Sequence, residues 1–299
     1  MFQPLIGLFE PSAIQQLADG RFLIAEDEKE HPLSLLTIDS AGVANTRPLL
    51  PPLQGDDAVW KLDDLEALAL DRAGYIYALT SHSRNADGEQ KKSRDKLVRF
   101  RVSGERMVEP MLLRSLKPAL LAAHPALAAA AEIRDVKNNG GLNIEALEIS
   151  ADGQQLLIGF RSPLIQNRAL IARVENLAAM FDAGEPPRIA PRLMTLDLSG
   201  EGIRSLCYFS TLEGYLIISG PVARAVGQFQ LWFWRGGEGA PAQRVSVAGL
   251  AGFAQVEGMS PATIDGQQRI VMVSDDGSRA ENRYARFLLL DPAQLVWQA

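Results

Sequence analysis

The chain has 299 residues, of which 47% are hydrophobic and 22% charged, a composition typical of a globular protein with a sizeable core. A formal net charge of -6 argues against a nucleic-acid-binding protein, which usually presents a basic face. No apolar run approaches the roughly 18 residues that a membrane-spanning helix needs, so we expect no membrane partner.

The start of the chain and its cysteine content bear on location. The first residues, MFQPLIGLFEPS, lack the basic segment and the long apolar stretch of a secretory signal peptide. The single cysteine, Cys207, cannot form an internal disulfide, so the fold does not depend on an oxidising compartment. Both observations predict a cytoplasmic protein.

Five segments of the chain share one pattern. In each, a Ser or Glu opens a short apolar strand, a glycine-containing turn follows, and a second apolar strand ends in polar residues. Turns such as Asp19-Gly20 and Asp152-Gly153 favour hairpins, because glycine adopts positive φ without steric cost. The five segments begin, in chain order, at Pro11, Leu65, Ile144, Arg204 and Val256.

Two further strands are predicted after each of the first four hairpins. They cover residues 33–39 and 43–50, 95–102 and 106–113, 169–175 and 192–198, and 228–235 and 242–249. The fifth hairpin is followed by a strand over 283–291, and its fourth strand is either 293–299 or the N-terminal segment 2–9. The N-terminal choice would close the ring by joining the two ends of the chain.

Four antiparallel strands repeated five times predict one all-β domain over residues 1–299, a five-bladed β-propeller of four-stranded blades. A β-sandwich would not need the same hairpin five times, and a parallel α/β fold would need helices between its strands. Only one stretch favours a helix, the Ala- and Leu-rich region near 117–132, which Pro118 and Pro125 interrupt. We interpret it as a short helical insertion lying over one face of the ring.

Aligned by these repeats, the residue that opens each first strand is polar. Because first strands lie innermost in a propeller, these side chains should converge on the axis, where unpaired buried carboxylates would repel one another. Oxygen ligands suit Ca²⁺, with Mg²⁺ or Mn²⁺ as alternatives, and the lack of His and Cys disfavours zinc and copper. The other interpretation is that the carboxylates are solvated or paired with basic residues such as Arg204. The predicted metal ligands are Ser12, Glu66, Glu145, Ser205 and Glu257.

A second group of polar residues lies where the second strands end, near one mouth of the channel. Arg84 and Arg161 are predicted to bind a small anionic ligand, since guanidinium groups hold such ligands with two hydrogen bonds. Asp27, His82 or Asp275 could act as a general base on water. The alternative is that His82 is an ordinary loop histidine and that Arg84 belongs to a solvated loop.

Two resemblances rest on these motifs. The stretches EPSAI, DLEALALD, SHSRN, GLNIEALEIS, GFRSPL, GIRSL and VSDDG resemble the signatures of a bacterial propeller family of unknown function, which implies a fold rather than an activity. The ring order Ser, Glu, Glu, Ser, Glu is distantly similar to that of calcium-activated nucleotidases of the apyrase type, five-bladed propellers with one central Ca²⁺. That resemblance implies that the ring binds Ca²⁺ and that Asp27 and Arg161 lie near a polyphosphate.

Three functions fit these features. The first is a Ca²⁺-centred hydrolase of phosphate esters or anhydrides, and the second is a non-catalytic propeller that binds a ligand or protein and holds a structural ion. The third is a lactonase or a related sugar-processing hydrolase. Because propellers host many unrelated functions, the fold does not choose among them. The sequence favours the first slightly over the second.

Overall fold

The computed structural model of the chain describes residues 1–27, 32–39, 41–54, 57–223, 228–253 and 255–298. Its strands form five antiparallel sheets, and the first strands of neighbouring sheets contact one another in a closed cycle. These sheets are the blades of a propeller, so the predicted all-β, five-bladed fold is confirmed.

The strands are numbered β1 to β21 in chain order. The first blade consists of β2 (Pro11–Gln16), β3 (Phe22–Glu26), β4 (Leu33–Asp39) and β5 (Gly42–Pro48). The second consists of β6 (Leu65–Leu70), β7 (Ile76–Thr80), β8 (Leu97–Ser103) and β9 (Arg106–Leu113). The third consists of β10 (Asn143–Ile149), β11 (Leu156–Ile165), β12 (Arg168–Val174) and β13 (Met194–Leu196).

The last two blades use both ends of the chain. The fourth contains β14 (Gly202–Phe209), β15 (Gly214–Gly220), β16 (Gln230–Trp234), β17 (Ala242–Val247) and, on its outer edge, β21 (Leu295–Trp297). The fifth contains β18 (Val256–Ile264), β19 (Gln267–Ser274), β20 (Arg286–Leu290) and β1 (Gln3–Pro4). The N-terminal segment therefore completes the fifth blade, as one of the two predictions had it. The other segment, 293–299, joins the fourth blade instead, and its Ala299 lies outside the described residues.

The hydrophobic core lies between the blades. Five clusters of buried apolar side chains each join two neighbouring blades, for example β11 and β12 with β15 and β16. Strands such as β3 and β7 are buried along their whole length, because both of their faces pack against another blade. This explains why their sequences, FLIAE and IYALT, are apolar runs rather than alternating patterns.

The helical insertion is confirmed between the second and third blades. It comprises α1 (Leu116–Ala123), α2 (Pro125–Ala131) and α3 (Val136–Asn139). One further helix, α4 (Leu177–Asp182), was not predicted, although its buried Leu177, Met180 and Phe181 have helical spacing. Among the described residues, no helix has the length and apolarity needed to cross a bilayer.

Candidate functional site at the upper mouth

The strand directions define two ends of the channel. Each first strand begins, and each second strand ends, at what we call the upper mouth, while the hairpin turns between them lie at the lower mouth. The polar residues predicted from the sequence therefore all belong to elements that meet at the upper mouth.

Each first strand begins with a β-bulge, where one residue has no partner on the second strand. In blade four the register passes from Ile203 paired with Ser219 to Ser205 paired with Ile218, so that Arg204 is the bulged residue. The bulged residues of the five blades are Ser12, Glu66, Glu145, Arg204 and Glu257.

Ser205 therefore lies one residue beyond the bulge and is not the counterpart of Ser12, while its predicted role as a metal ligand stays a prediction. Ser205 pairs with Ile218, just as Ala67 pairs with Leu79 in blade two. A bulge re-aims the side chain of its extra residue, and in blade four that residue carries a guanidinium group. Matching Ser205 to Ser12 by residue type hid this shift, because bulge positions depend on strand pairing and not on composition.

Arg204 is a cation built into the ring. Its Nη1 atom donates a 2.8 Å hydrogen bond to Glu145 Oε2 and another of 2.8 Å to Glu257 Oε1. Arg161 Nη1 donates to the other oxygen of Glu145 at 3.0 Å. The side chains of Arg204 and Glu145 are only 7% and 5% exposed, so this network is shielded from solvent. The interpretation that basic residues pair with the ring is confirmed for Glu145 and Glu257.

Glu66 is the ring carboxyl left out of this network. It forms no hydrogen bond or ion pair within the described part of the chain. Burial, together with the charges of Asp64, Glu145 and Glu257, raises the pKa of Glu66 well above its usual value. Burial also raises the pKa of Glu257 to about 8, although Arg204 acts in the opposite direction. The ring thus contains carboxyl groups that favour the protonated state.

The ring has some of the features that Ca²⁺ needs and lacks others. A cavity of about 10 Å³ below the ring, lined by Glu66, Glu145, Ser205 and Glu257, offers the oxygen atoms that such an ion prefers. However, Arg204 lies between two of these carboxylates, and the described residues contain no group of three acidic, His or Cys side chains placed to hold a metal. With Arg204 in this position, the ring does not fit a central ion. No observation tests the predicted binding of Ca²⁺, Mg²⁺ or Mn²⁺ directly, so it stays a prediction.

A cleft of about 360 Å³ opens above the ring at the upper mouth. Five predicted site residues line it together, namely Asp27, Glu66, Arg84, Glu145 and Arg161.

Two other lining residues, Asp64 and Arg94, were missed by sequence reasoning. Arg94 Nη1 bonds Asp64 Oδ2 at 2.8 Å, and both side chains contact Ser83 Oγ, at 3.2 and 3.1 Å. Asp64 precedes a first strand in the DLEALALD motif, which was the one available signal.

The two cationic residues predicted to bind an anion also have structural partners. Arg84 donates from all three of its nitrogens, to the carbonyl oxygens of Ala131 and Gly88 and to the Glu132 carboxylate, at 2.9 to 3.2 Å. It thereby fastens the helical insertion to the second blade. Arg161 donates from Nε to the Pro221 carbonyl oxygen at 3.1 Å, in addition to its bond with Glu145.

The three predicted proton-transfer residues are placed differently. Asp27 lines the cleft, and partial burial together with Asp64 raises its pKa. Asp275 is not among the lining residues, but burial and the charge of Glu10 raise its pKa to about 6.

His82 does not line the cleft either. Its side chain is 1% exposed, and its two ring nitrogens have no hydrogen-bond partner among the described residues. Burial and the charge of Lys117 lower its pKa to about 3, so it is neutral at physiological pH. The backbone at His82 is left-handed, with φ of 55°, and the imidazole is enclosed by protein instead of facing the cleft.

Comparison with solved structures shows distant likenesses. An exo-1,5-α-L-arabinanase from a bovine ruminal metagenomic library is 11% identical with a TM-score of 0.48, covering 100% of this chain and 99% of that one. A gluconolactonase from Xanthomonas campestris is 12% identical with a TM-score of 0.44, covering 98% and 84%. The β-propeller domain of Cps50 (Swd1) from Myceliophteria thermophila is 10% identical with a TM-score of 0.43, covering 96% and 99%. At these values the likenesses carry no argument about function.

Comparison of sequences identifies the family of the chain. No curated protein matches the chain. A family model described as a protein of unknown function, DUF3616, matches residues 113–283, which is more than half of the chain and includes three of the five bulged residues. The chain therefore belongs to the DUF3616 family.

Proposed function

We propose that the cleft at the upper mouth is the active site of a hydrolase that acts on phosphate esters or anhydrides. The observation that carries the proposal is the convergence of two carboxyls with raised pKa values, Asp27 and Glu66, beside the guanidinium of Arg161 in one cleft. Phosphoryl transfer needs mainly positioning and stabilisation of charge, together with proton transfer at the attacking and leaving oxygens.

The two carboxyl groups have environments that suit opposite roles. Asp27 lies at the solvent-accessible side and, when ionised, removes the proton from a water molecule as that water attacks phosphorus. Glu66, held protonated, donates its proton to the leaving oxygen as the bond between that oxygen and phosphorus breaks. A new bond from the water oxygen to phosphorus completes the displacement.

Arg161 supplies positive charge to the phosphoryl oxygens. Its Nε and Nη1 atoms are held by Pro221 and Glu145, which fixes the guanidinium plane at the cleft wall. No step here passes through a metal ion, because Arg204 already neutralises part of the ring. The resulting reaction is general acid–base hydrolysis supported by arginine.

The test is a hydrolysis assay of p-nitrophenyl phosphate, pyrophosphate, a neutral p-nitrophenyl ester and a sugar lactone, each with chelator or with added Ca²⁺, Mg²⁺ or Mn²⁺. We expect turnover of the phosphate compounds and a loss of about 100-fold in both Asp27→Asn and Glu66→Gln. Glu238→Gln is the matched control, since Glu238 is 54% exposed and, among the described residues, pairs with Arg192 alone, on the surface.

The other outcomes separate the competing functions. Turnover of the lactone or the neutral ester alone would replace this proposal with a lactonase or esterase. Absence of turnover on every substrate would favour a non-catalytic binding propeller. Phosphatase activity that survives both carboxyl substitutions would rule out the assigned roles of Asp27 and Glu66.

A further inference from the structure

The basic residues of the cleft fall into two groups. Three of them are engaged by protein partners, since Arg84 holds the helical insertion, Arg94 bonds Asp64 and Arg161 bonds Glu145. Arg134 and Lys137 also line the cleft, but both are exposed, and their side chains form no hydrogen bond or ion pair within the described residues. Glu89, whose pKa Arg134 helps to lower, is itself paired with Lys91 at 2.6 Å.

These two cations lie on a segment that is braced, although it carries no blade strand. Arg84 bonds Ala131 and Glu132 immediately before it, and Asp135 caps α3 by accepting from Asn138 N at 3.3 Å. A Cβ atom at Gly88 would lie 2.9 Å from the Arg134 Cβ, so the arginine stem packs closely on that glycine. The helical insertion therefore presents Arg134 and Lys137 at a defined wall of the cleft.

The cleft also has acidic lining residues, among them Asp27, Asp64 and Glu66. Asp64 contributes to the raised pKa values of both Asp27 and Glu66, which shows that these three carboxyls act on one another. An anionic ligand is repelled there unless a basic group or a proton compensates, whereas the wall formed by the insertion attracts it. The cleft volume of about 360 Å³ falls in the range of small-molecule sites, about 300 to 1,000 Å³.

We propose that Arg134 and Lys137 form a subsite for a second anionic group of the substrate, either a phosphate or a carboxylate. This rests on the proposed function, with the reacting phosphoryl group beside Arg161 and the second group at the insertion. Substrates with one phosphate leave the two cations without a partner, while substrates with two anionic groups span the cleft. The insertion is then a specificity element, and Arg134 and Lys137 determine which phosphate esters or anhydrides bind.

Equilibrium binding tests this without requiring turnover. The probes are methylphosphonate and its methylene-, ethylene- and propylene-bisphosphonate counterparts, measured by titration calorimetry at one fixed ionic strength. We expect the wild type to bind at least one bisphosphonate about tenfold more tightly than methylphosphonate, and R134Q/K137Q to lose that preference. The matched control is R114Q/R168Q, which removes two exposed cations that do not line the cleft.

Several results would overturn the subsite. The first is equal affinity of the wild type for mono- and bisphosphonates, and the second is an equal loss of affinity for every probe in R134Q/K137Q. The same loss in R114Q/R168Q, or no measurable binding of any probe, would overturn it as well. Retained preference in R134Q/K137Q would also overturn the subsite. A preference that the wild type shows and R134Q/K137Q loses, without hydrolysis of any substrate by the wild type, would instead contradict the proposed function and leave the subsite standing. Unfolding midpoints of both double variants confirm that the comparison is made between folded proteins.

Discussion

The two mouths of the channel differ in how their polar groups are satisfied. At the lower mouth, Glu148 accepts from the backbone N–H groups of Ile149 and Tyr208, both at 2.7 Å, and thereby joins two blades. Gln16 joins two others by bonding both the N–H and the carbonyl oxygen of Thr263, at 2.7 and 3.0 Å. At the upper mouth, Glu66 has no such partner among the residues that the structure describes. The lower-mouth side chains thus join blades, whereas Glu66 is left without a comparable contact.

The larger of the two channel cavities lies at the lower mouth and not at the candidate site. The lower mouth holds a cavity of about 450 Å³ to which all five blades contribute, larger than the cleft of about 360 Å³ above. Its carboxyls, however, are occupied by local backbone and hydroxyl donors, as Asp71 is by Ala73 N, Tyr75 N and Tyr77 Oη. A carboxyl with a raised pKa and no hydrogen-bond partner among the described residues, rather than volume, distinguishes the candidate site.

The largest effect is expected from removing the built-in cation. Arg204→Met leaves Glu145 and Glu257 buried without their shared partner, and should lower the free energy of unfolding by about 3 to 5 kcal/mol. Denaturant titration measures this. The control is Arg192→Met, whose side chain is 80% exposed and whose removal should cost less than about 0.5 kcal/mol. Equal stability of the two variants would contradict the buried role of Arg204.

The next effect is a dependence of the free energy of unfolding on pH, caused by Glu148 at the lower mouth. Burial raises the pKa of Glu148 to about 7, from its ordinary value of 4.5. Because the folded state holds this proton more tightly than the unfolded chain, the stabilising contribution is fully present below about pH 4.5 and is lost as pH rises through about 7.

The test compares the free energy of unfolding at pH 5 and pH 8 in the wild type and in Glu148→Gln. The wild type should lose about 2 kcal/mol more than the variant over this interval. Glu238→Gln, which alters an exposed carboxyl, should follow the wild type. Parallel profiles for wild type and Glu148→Gln would show that burial does not hold the proton on this carboxyl.

At the upper mouth, one substitution is expected to raise the free energy of unfolding, whereas Arg204→Met lowers it by a larger amount. Glu66→Gln removes a carboxyl that is crowded by other carboxyls, and should raise the free energy of unfolding by about 1 kcal/mol at pH 8. Glu145→Gln is the matched comparison, and it should be destabilising because Arg161 and Arg204 lose a charged partner. If both substitutions destabilised the protein equally, the distinction between the two ring carboxyls would be wrong.

The most local effect is expected at the insertion. Arg84→Ala removes three hydrogen bonds to the loop and to the end of α2, and should cost about 1 kcal/mol. Amide hydrogen exchange across residues 116–139 should increase more than exchange in β6 or β7, since the bonds are local. Unchanged protection of the insertion would mean that Arg84 does not brace the wall that carries Arg134 and Lys137.

The sequence predicted most of the fold because each blade repeats the same local chemistry. The Asp-Gly turns and apolar strand pairs fix the hairpins, and these were found at Asp19-Gly20 and Asp152-Gly153 as expected. Helix α4 was missed because its six residues are held by burial of three side chains and not by local signals. Short elements of this kind depend on what they pack against.

The site was predicted only in part, for a related reason. Residue type and repeat spacing placed Ser12, Glu66, Glu145 and Glu257 at equivalent positions, and each is a bulged residue, while metal binding by them stays a prediction. They did not place Arg204, because the order of an Arg and a Ser within GIRSL leaves open which of the two is bulged. A shift of one residue changes which side chain occupies the bulge, and only strand register reveals it.

The most direct test of the built-in cation is thermal unfolding of chelator-treated wild type, Arg204→Ser and Glu66→Gln, each with and without excess Ca²⁺. A ligand that binds only the folded state raises the unfolding midpoint. We expect no rise in the wild type and a clear rise in Arg204→Ser, where the guanidinium no longer competes for Glu145 and Glu257. A rise in the wild type that Glu66→Gln abolishes would contradict this and would support a calcium centre.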